Sequence, residues 1–140
     1  MAPIDFAEYY KFAIVRNPWE RLVSSYKSRF GASGPSFADF VLRGFPPVGP
    51  SRERRQVEPQ WKYVCNAGQS LLVDKIVRFE RLNADMDEVF TRVFGERIAL
   101  PRLNVSADQR GYRSFYAAET LAFVEDFYRT DIDLFQYKFD

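Results

Sequence analysis

Residues 11–27 read K-F-A-I-V-R-N-P-W-E-R-L-V-S-S-Y-K. Lys11 to Val15 is a short apolar run followed at once by helix signals, the pattern of a buried strand entering a turn. Asn17 is a good N-cap, because its side-chain oxygen can accept from a free N–H of the first helical turn. Pro18 suits the first helical position, where its missing N–H costs nothing. Glu20, three residues after Asn17, completes a capping-box pattern. Leu22, Val23, Tyr26 and Phe30 recur at helical spacing, and Gly31 ends the helix. Arg16 therefore falls at the carboxyl end of a strand, where ligands sit in open α/β sheets. The helix that follows points its free N–H groups and the positive end of its dipole at the same place, which favours an anion. Ser24 lies about two turns beyond Asn17 and shares its face. Arg16 and Ser24 are thus candidate holders of one phosphate. The plainer alternative for Arg16 is a surface arginine paired with Glu20 or Glu80.

Working outward, Ser36 caps a short helix from Phe37 to Arg43, closed by Gly44. Residues 45–51 carry three prolines and a glycine and form a loop. The run Arg52-Glu53-Arg54-Arg55 reads as a solvated loop or helix start. Residues 57–65 fit no single pattern. Leu71 to Phe79 reads as one or two strand pieces. Asn83 caps a helix with Met86, Val89, Phe90 and Val93 on one face, ended by Gly95. A last long helix spans Tyr116 to Tyr128 with Leu121, Val124 and Phe127 inward, and the apolar tail Ile132 to Phe139 docks back on the core. Strands alternating with helices predict an α/β chain with a small parallel sheet.

Composition sets limits. The chain of 140 residues suits one domain, 46% of it apolar and 28% charged, with a net charge of +1. That charge exerts no global pull on nucleic acid or membrane, so an anion site must be local and no nucleic-acid partner is expected. Arg outnumbers Lys about threefold, and a guanidinium grips phosphate or sulfate at two points where an ammonium acts as a point charge. The absence of His excludes Ser-His-Asp and Cys-His nucleophile pairs and histidine zinc motifs, and no metal is expected. Any general base must be Glu, Asp, Lys, Tyr or a shifted Cys. With Cys65 alone, no internal disulfide can form. No apolar run reaches the ~20 residues of a membrane span, and the N-terminus lacks the pattern of a signal peptide, so the expected location is cytoplasmic.

Residues 11–27 closely resemble the 3′-phosphate-binding motif of the sulfotransferases that use 3′-phosphoadenosine 5′-phosphosulfate (PAPS), nearest the carbohydrate-type branch and its bacterial relatives. Five further blocks follow in order. Val57-Glu58-Pro59-Gln60-Trp61 resembles the family's aromatic-x-Pro-Gln segment, and L-L-V-D-K-I-V-R-F-E-R-L at 71–82 its strand with Arg-Phe-Glu-x-Leu. L-P-R-L-N-V-S at 100–106 is similar to the Leu-Pro-x-x-Asn-x-Ser loop. Tyr112, Tyr116 and Glu119, with D-I-D-L-F-Q-Y-K-F at 131–139, resemble the approach to the last helix and the closing segment. The resemblance implies a partial P-loop-like sulfotransferase fold over residues 1–140, with PAPS as co-substrate and transfer of a sulfuryl group to a hydroxyl or amine, a carbohydrate among the acceptors. It implies that Arg16 and Ser24 hold the 3′-phosphate and that Arg110, Tyr112 and Arg113 lie in the nucleotide-covering loop.

The chain also departs from the pattern. It contains no Pro-Lys-x-Gly-Thr-Thr loop of the kind that wraps the 5′-phosphosulfate, so it reads as N-terminally truncated relative to the family. Relatives place His near the Pro-Gln segment and in the Leu-Pro loop, where this chain has Gln56 or Val57, and Arg102. Glu58 is the nearby replacement candidate for a base. Sulfuryl transfer relies mainly on positioning and on stabilising the leaving oxygen, so lacking that loop would cost several kcal/mol, at about 1.4 kcal/mol per tenfold in rate. A non-catalytic nucleotide-binding or interaction module derived from such an enzyme is the alternative reading. A small sheet with an open edge invites pairing with a second copy.

Overall fold

The strand expected at the start of the quoted stretch is Phe12–Val15 (β1), in a computed structural model that describes residues 5–100 and 111–140. Its partner is Lys75–Arg78 (β2), parallel, with Phe12 opposite Lys75 and Val15 opposite Arg78. Seven α-helices lie among the described residues: α1 Pro18–Phe30, α2 Phe37–Leu42, α3 Arg52–Val57, α4 Trp61–Val64, α5 Leu82–Phe94, α6 Ala118–Phe127 and α7 Arg129–Phe135. A two-stranded parallel sheet with these helices makes an α/β chain, as its alternating pattern predicts. No helix among the described residues is long and apolar enough to cross a membrane.

The chain gathers into two compact units, one from Met1–Arg16 with Lys62–Val105 and the other from Asn17–Trp61 with Ser106–Asp140. The first holds the sheet and α5. Asp74 and Lys11 start the parallel pairing, each backbone N–H finding an acceptor on the other residue at 2.8 Å. Upstream of Asp74 the expected strand is reduced to one antiparallel bridge between Leu71 and Cys65. Val77, Met86 and Val89 form one buried cluster, with Tyr10, Leu82, Phe90 and Leu100 around them, and Val15, Val64 and Cys65 are buried too. Asp85, buried, accepts the Arg78 N–H at 2.8 Å and fastens α5 to the end of β2. The expected cap Asn83 lies inside α5, whose N-cap is Arg81 with no side-chain bond. A 3₁₀ turn over Phe79–Arg81 has already begun the helical rotation there. Val93, expected to face inward, is 50% exposed, because α5 outruns its small core.

The second unit is built on aromatic residues. Trp19, Leu22 and Val23 of α1, Phe37, Phe40 and Val41 of α2, Val57 of α3, Val124 of α6 and Tyr128 make one buried cluster. Rings meet edge to face, as their quadrupoles favour: Tyr26 to Phe37 at 5.4 Å, Phe37 to Tyr116 at 5.0 Å and Phe45 to Phe127 at 4.9 Å. The caps fall where the sequence puts them. The Asn17 side chain accepts the Glu20 N–H at 3.1 Å and Ser36 accepts that of Asp39 at 3.1 Å, while Gly31 closes α1 at φ +60°. The tail docks as expected, with Phe135 buried in α7 and Phe139 edge-on to Trp19 at 5.6 Å. Asp131 is fully buried and accepts the N–H groups of Gln60 and Trp61 at 2.7 and 2.8 Å.

Candidate functional site

Arg16 follows β1 directly, and its guanidinium lies 4.2 Å from the centre of the Phe79 ring, which directly follows β2. That cation–π stack holds the guanidinium at the carboxyl end of the sheet, the edge at which α/β sheets take ligands. Of the two alternatives for Arg16, the structure adds a third partner, an aromatic face.

The second unit carries the other candidates. Ser24 is half-buried on α1, one turn after Glu20 and one before Ser28. At the amino end of α1, the Asn17 Nδ2 reaches the Tyr112 hydroxyl and the Lys138 carbonyl oxygen, each at 3.5 Å. The Tyr112 hydroxyl donates in turn to the Asp140 carbonyl oxygen. The Tyr112 ring packs edge-on to Phe139 at 5.7 Å, and the Arg113 guanidinium lies 5.7 Å from the Tyr112 ring centre. Tyr112 and Arg113, named from the sequence as parts of a nucleotide-covering loop, are therefore gathered at the start of α1, with Asn17 as the link. Arg110 lies outside the described residues, as do the last six residues of the Leu-Pro loop.

Glu58 is placed differently from a free base. Its carboxylate accepts from the Arg54 Nε at 2.7 Å and Nη2 at 3.4 Å, and Arg54 also donates to the Pro46 carbonyl at 3.0 Å. Its own carbonyl accepts from Arg21 Nη1 at 2.8 Å. The expectation of a solvated charge run holds for Arg52, Glu53 and Arg55, which are exposed, and is corrected for Arg54, which is buried over Phe127. Burying a guanidinium requires a counter-ion. The four-residue spacing on α3 brings Glu58 to it. The same spacing could have been read from the sequence.

Other ionisable groups serve structure. Burial pushes the Tyr116 and Tyr128 phenols far up, so both stay protonated, donating to the Trp19 and Val57 carbonyls at 2.8 and 2.5 Å. Burial also raises the Asp131 carboxyl, against the pull of its two backbone N–H donors. Sequence reasoning missed Asp131 because its partners lie 70 and 71 residues away. Among the described residues no cluster of three or more His, Cys, Asp or Glu could hold a metal ion.

No curated protein and no solved structure matches this chain. The family model described as "Sulfotransferase family" matches residues 3–138. That span holds the strand–turn–helix with Arg16 and Ser24, the Pro59-Gln60 segment fastened by Asp131, and the tail docked on Trp19, and by it the chain belongs to the sulfotransferase family.

Proposed function

We propose that this family member works with PAPS, and that Arg16 and Ser24 hold the nucleotide's 3′-phosphate. Family membership supports sulfotransferase function in general terms. The observation that carries the finer reading is the start of α1: a capped 13-residue helix that follows Arg16 directly, with Tyr112 and Arg113 gathered at its amino end. A helix of that length presents free N–H groups and the positive end of its dipole there, which suits a phosphate. Tyr112 and Arg113 supply an aromatic face and a guanidinium beside it, the residue types that cover a purine and pair with phosphate.

In the reaction, the acceptor oxygen or nitrogen attacks sulfur, the bond from sulfur to the bridging oxygen of the 5′-phosphate breaks, and adenosine 3′,5′-bisphosphate leaves. Holding the 3′-phosphate fixes where the sulfur lies, and positioning of this kind is the larger part of such catalysis. The acceptor is a hydroxyl or amine, with carbohydrate the class the sequence resemblance implies. Glu58 has no part in this scheme beyond closing α3 with Arg54.

Calorimetry with adenosine 3′,5′-bisphosphate tests the reading. Binding should weaken by about tenfold or more in Arg16→Ala and in Ser24→Ala, because each removes a donor to a charged oxygen. No binding at millimolar ligand, or unchanged binding in both variants, overturns it. Transfer of radiolabelled sulfate from PAPS to a carbohydrate acceptor then tests the chemistry.

A further inference from the structure

Between the outer faces of α1 and α3 lies a recess of about 230 Å³ lined by Ser28, Arg29, Arg52, Glu53 and Gln56. Its walls are fixed from behind. Val57 is buried in the same cluster as Leu22 and Val23. Arg21 Nη1 donates to the Glu58 carbonyl at 2.8 Å, and the Tyr128 hydroxyl to that of Val57 at 2.5 Å. The lining groups are not used up. Neither Ser28, Arg52, Glu53 nor Gln56 makes a side-chain hydrogen bond or ion pair with another described residue, and Arg29 only stacks on Phe30 at 4.9 Å. Arg54, two residues after Arg52, is by contrast fully committed to Glu58 and Pro46.

Every lining side chain is polar or charged, so an apolar ligand finds little to pack on beyond their methylene stems. The charges are two guanidinium groups and one carboxylate. A simple anion would satisfy the guanidinium groups and meet repulsion from Glu53. A simple cation would do the reverse, and a neutral sugar would leave all three charges to water alone. A ligand with two carboxylates and one ammonium matches the set charge for charge: each arginine fork takes a carboxylate in two places, and Glu53 takes the ammonium. Gln56 and Ser28 supply further hydrogen bonds. At ~30 Å³ per water the recess holds about eight waters, the scale of one small molecule.

We infer that this recess binds a free acidic α-amino acid of the glutamate type. The site is independent of the nucleotide reading, since none of its residues is a proposed phosphate holder. The test is amide NMR titration of the chain without nucleotide, using L-glutamate, N-acetyl-L-glutamate and L-glutamine. L-glutamate should shift the amides of residues 28, 29, 52, 53 and 56 and bind about tenfold tighter than the analogues lacking the ammonium or the second carboxylate. Arg29→Ala with Arg52→Ala should abolish the shifts. Glu53→Gln should erase the preference for L-glutamate over N-acetyl-L-glutamate, and all these exposed positions should leave the rest of the spectrum unchanged. No localised shift at millimolar L-glutamate, equal binding of all three ligands, or binding untouched by the double variant would each overturn the inference.

Discussion

The two compact units of this chain are stabilised by different means. The sheet-bearing unit buries Val15, Val64, Cys65, Val77, Met86 and Val89 among its described residues, with no aromatic ring among them, and much of its remaining bonding is at the surface, as in Lys75–Glu88 at 2.5 Å and Arg97–Asp87 at 2.6 Å. The aromatic unit buries nine apolar residues in one cluster and ties distant segments with polar groups that are themselves buried, Asp131 and the Tyr128 hydroxyl. Surface ion pairs contribute little, because water and salt screen them and ordering long side chains costs entropy. Buried aromatic packing contributes much more per residue. The unit that carries Ser24, Tyr112 and Arg113 is accordingly the better fixed of the two.

The strongest challenge to that comparison is a pair of core truncations. Phe40→Ala removes a ring that meets Tyr26, Phe30 and Phe45 within 5.7, 5.6 and 6.1 Å, and should cost about 3–5 kcal/mol in urea unfolding. Met86→Ala in the sheet unit should cost about 2 kcal/mol, near the lower end for such changes, since Met86 is 7% exposed and its neighbours can relax outward. A larger loss for Met86→Ala would reverse the ranking of the two cores.

A smaller effect tests the buried polar ties. Asp131→Asn puts an amide NH₂ where one carboxylate oxygen accepted an N–H, leaving one of the Gln60 and Trp61 donors without an acceptor at a cost of about 2 kcal/mol. The sign of its pH dependence follows from burial, which raises the Asp131 carboxyl above its ordinary 3.8. The folded state then holds the proton more tightly than the unfolded one. The stability this contributes is fully present below the unfolded value and is lost as pH rises through the folded value. The deficit of Asp131→Asn relative to the natural chain should therefore be largest at acid pH and shrink toward neutrality. A deficit that grows with pH would mean that the two N–H donors outweigh burial.

What the sequence made legible follows the range of the forces involved. The strand, Asn17 cap, α1 and Gly31 are set by residues within four positions of one another, and each lies where local chemistry puts it. Asn83 misled for the same local reason: it is a good cap by type, but β2 passes through the turn over Phe79–Arg81 and begins α5 before it. Arg54 looked solvated because its neighbours are charged, and only the apolar mass of Phe127 and Val57 on that side of α3 explains its burial. At the site, Arg16 could be placed at a strand end from its own surroundings, but not its stack on Phe79, and Tyr112 could be named but not its reach to Asn17 across 95 residues. Contacts of that separation depend on the folded topology, which no local pattern encodes.

The smallest effects sharpen the comparison through the two glycines that end the long helices, one in each unit. Gly95 closes α5 at φ +77° and ψ +5°, in the left-handed well that other residues enter at a modest cost. Gly31 closes α1 at φ +60° and ψ −133°, outside that well and in territory essentially reserved to glycine. A Cβ would meet nothing within 4 Å at either position, so the whole cost is in the backbone. Gly31→Ala should cost about 2 kcal/mol and Gly95→Ala about 1 kcal/mol. Gly95→Asn should cost less than Gly95→Ala, since Asn tolerates the left-handed well, whereas Gly31→Asn should bring no such relief. Equal costs for the two alanines would show that α1 can end in an ordinary left-handed turn, and that its end is less tightly determined than the core beneath it.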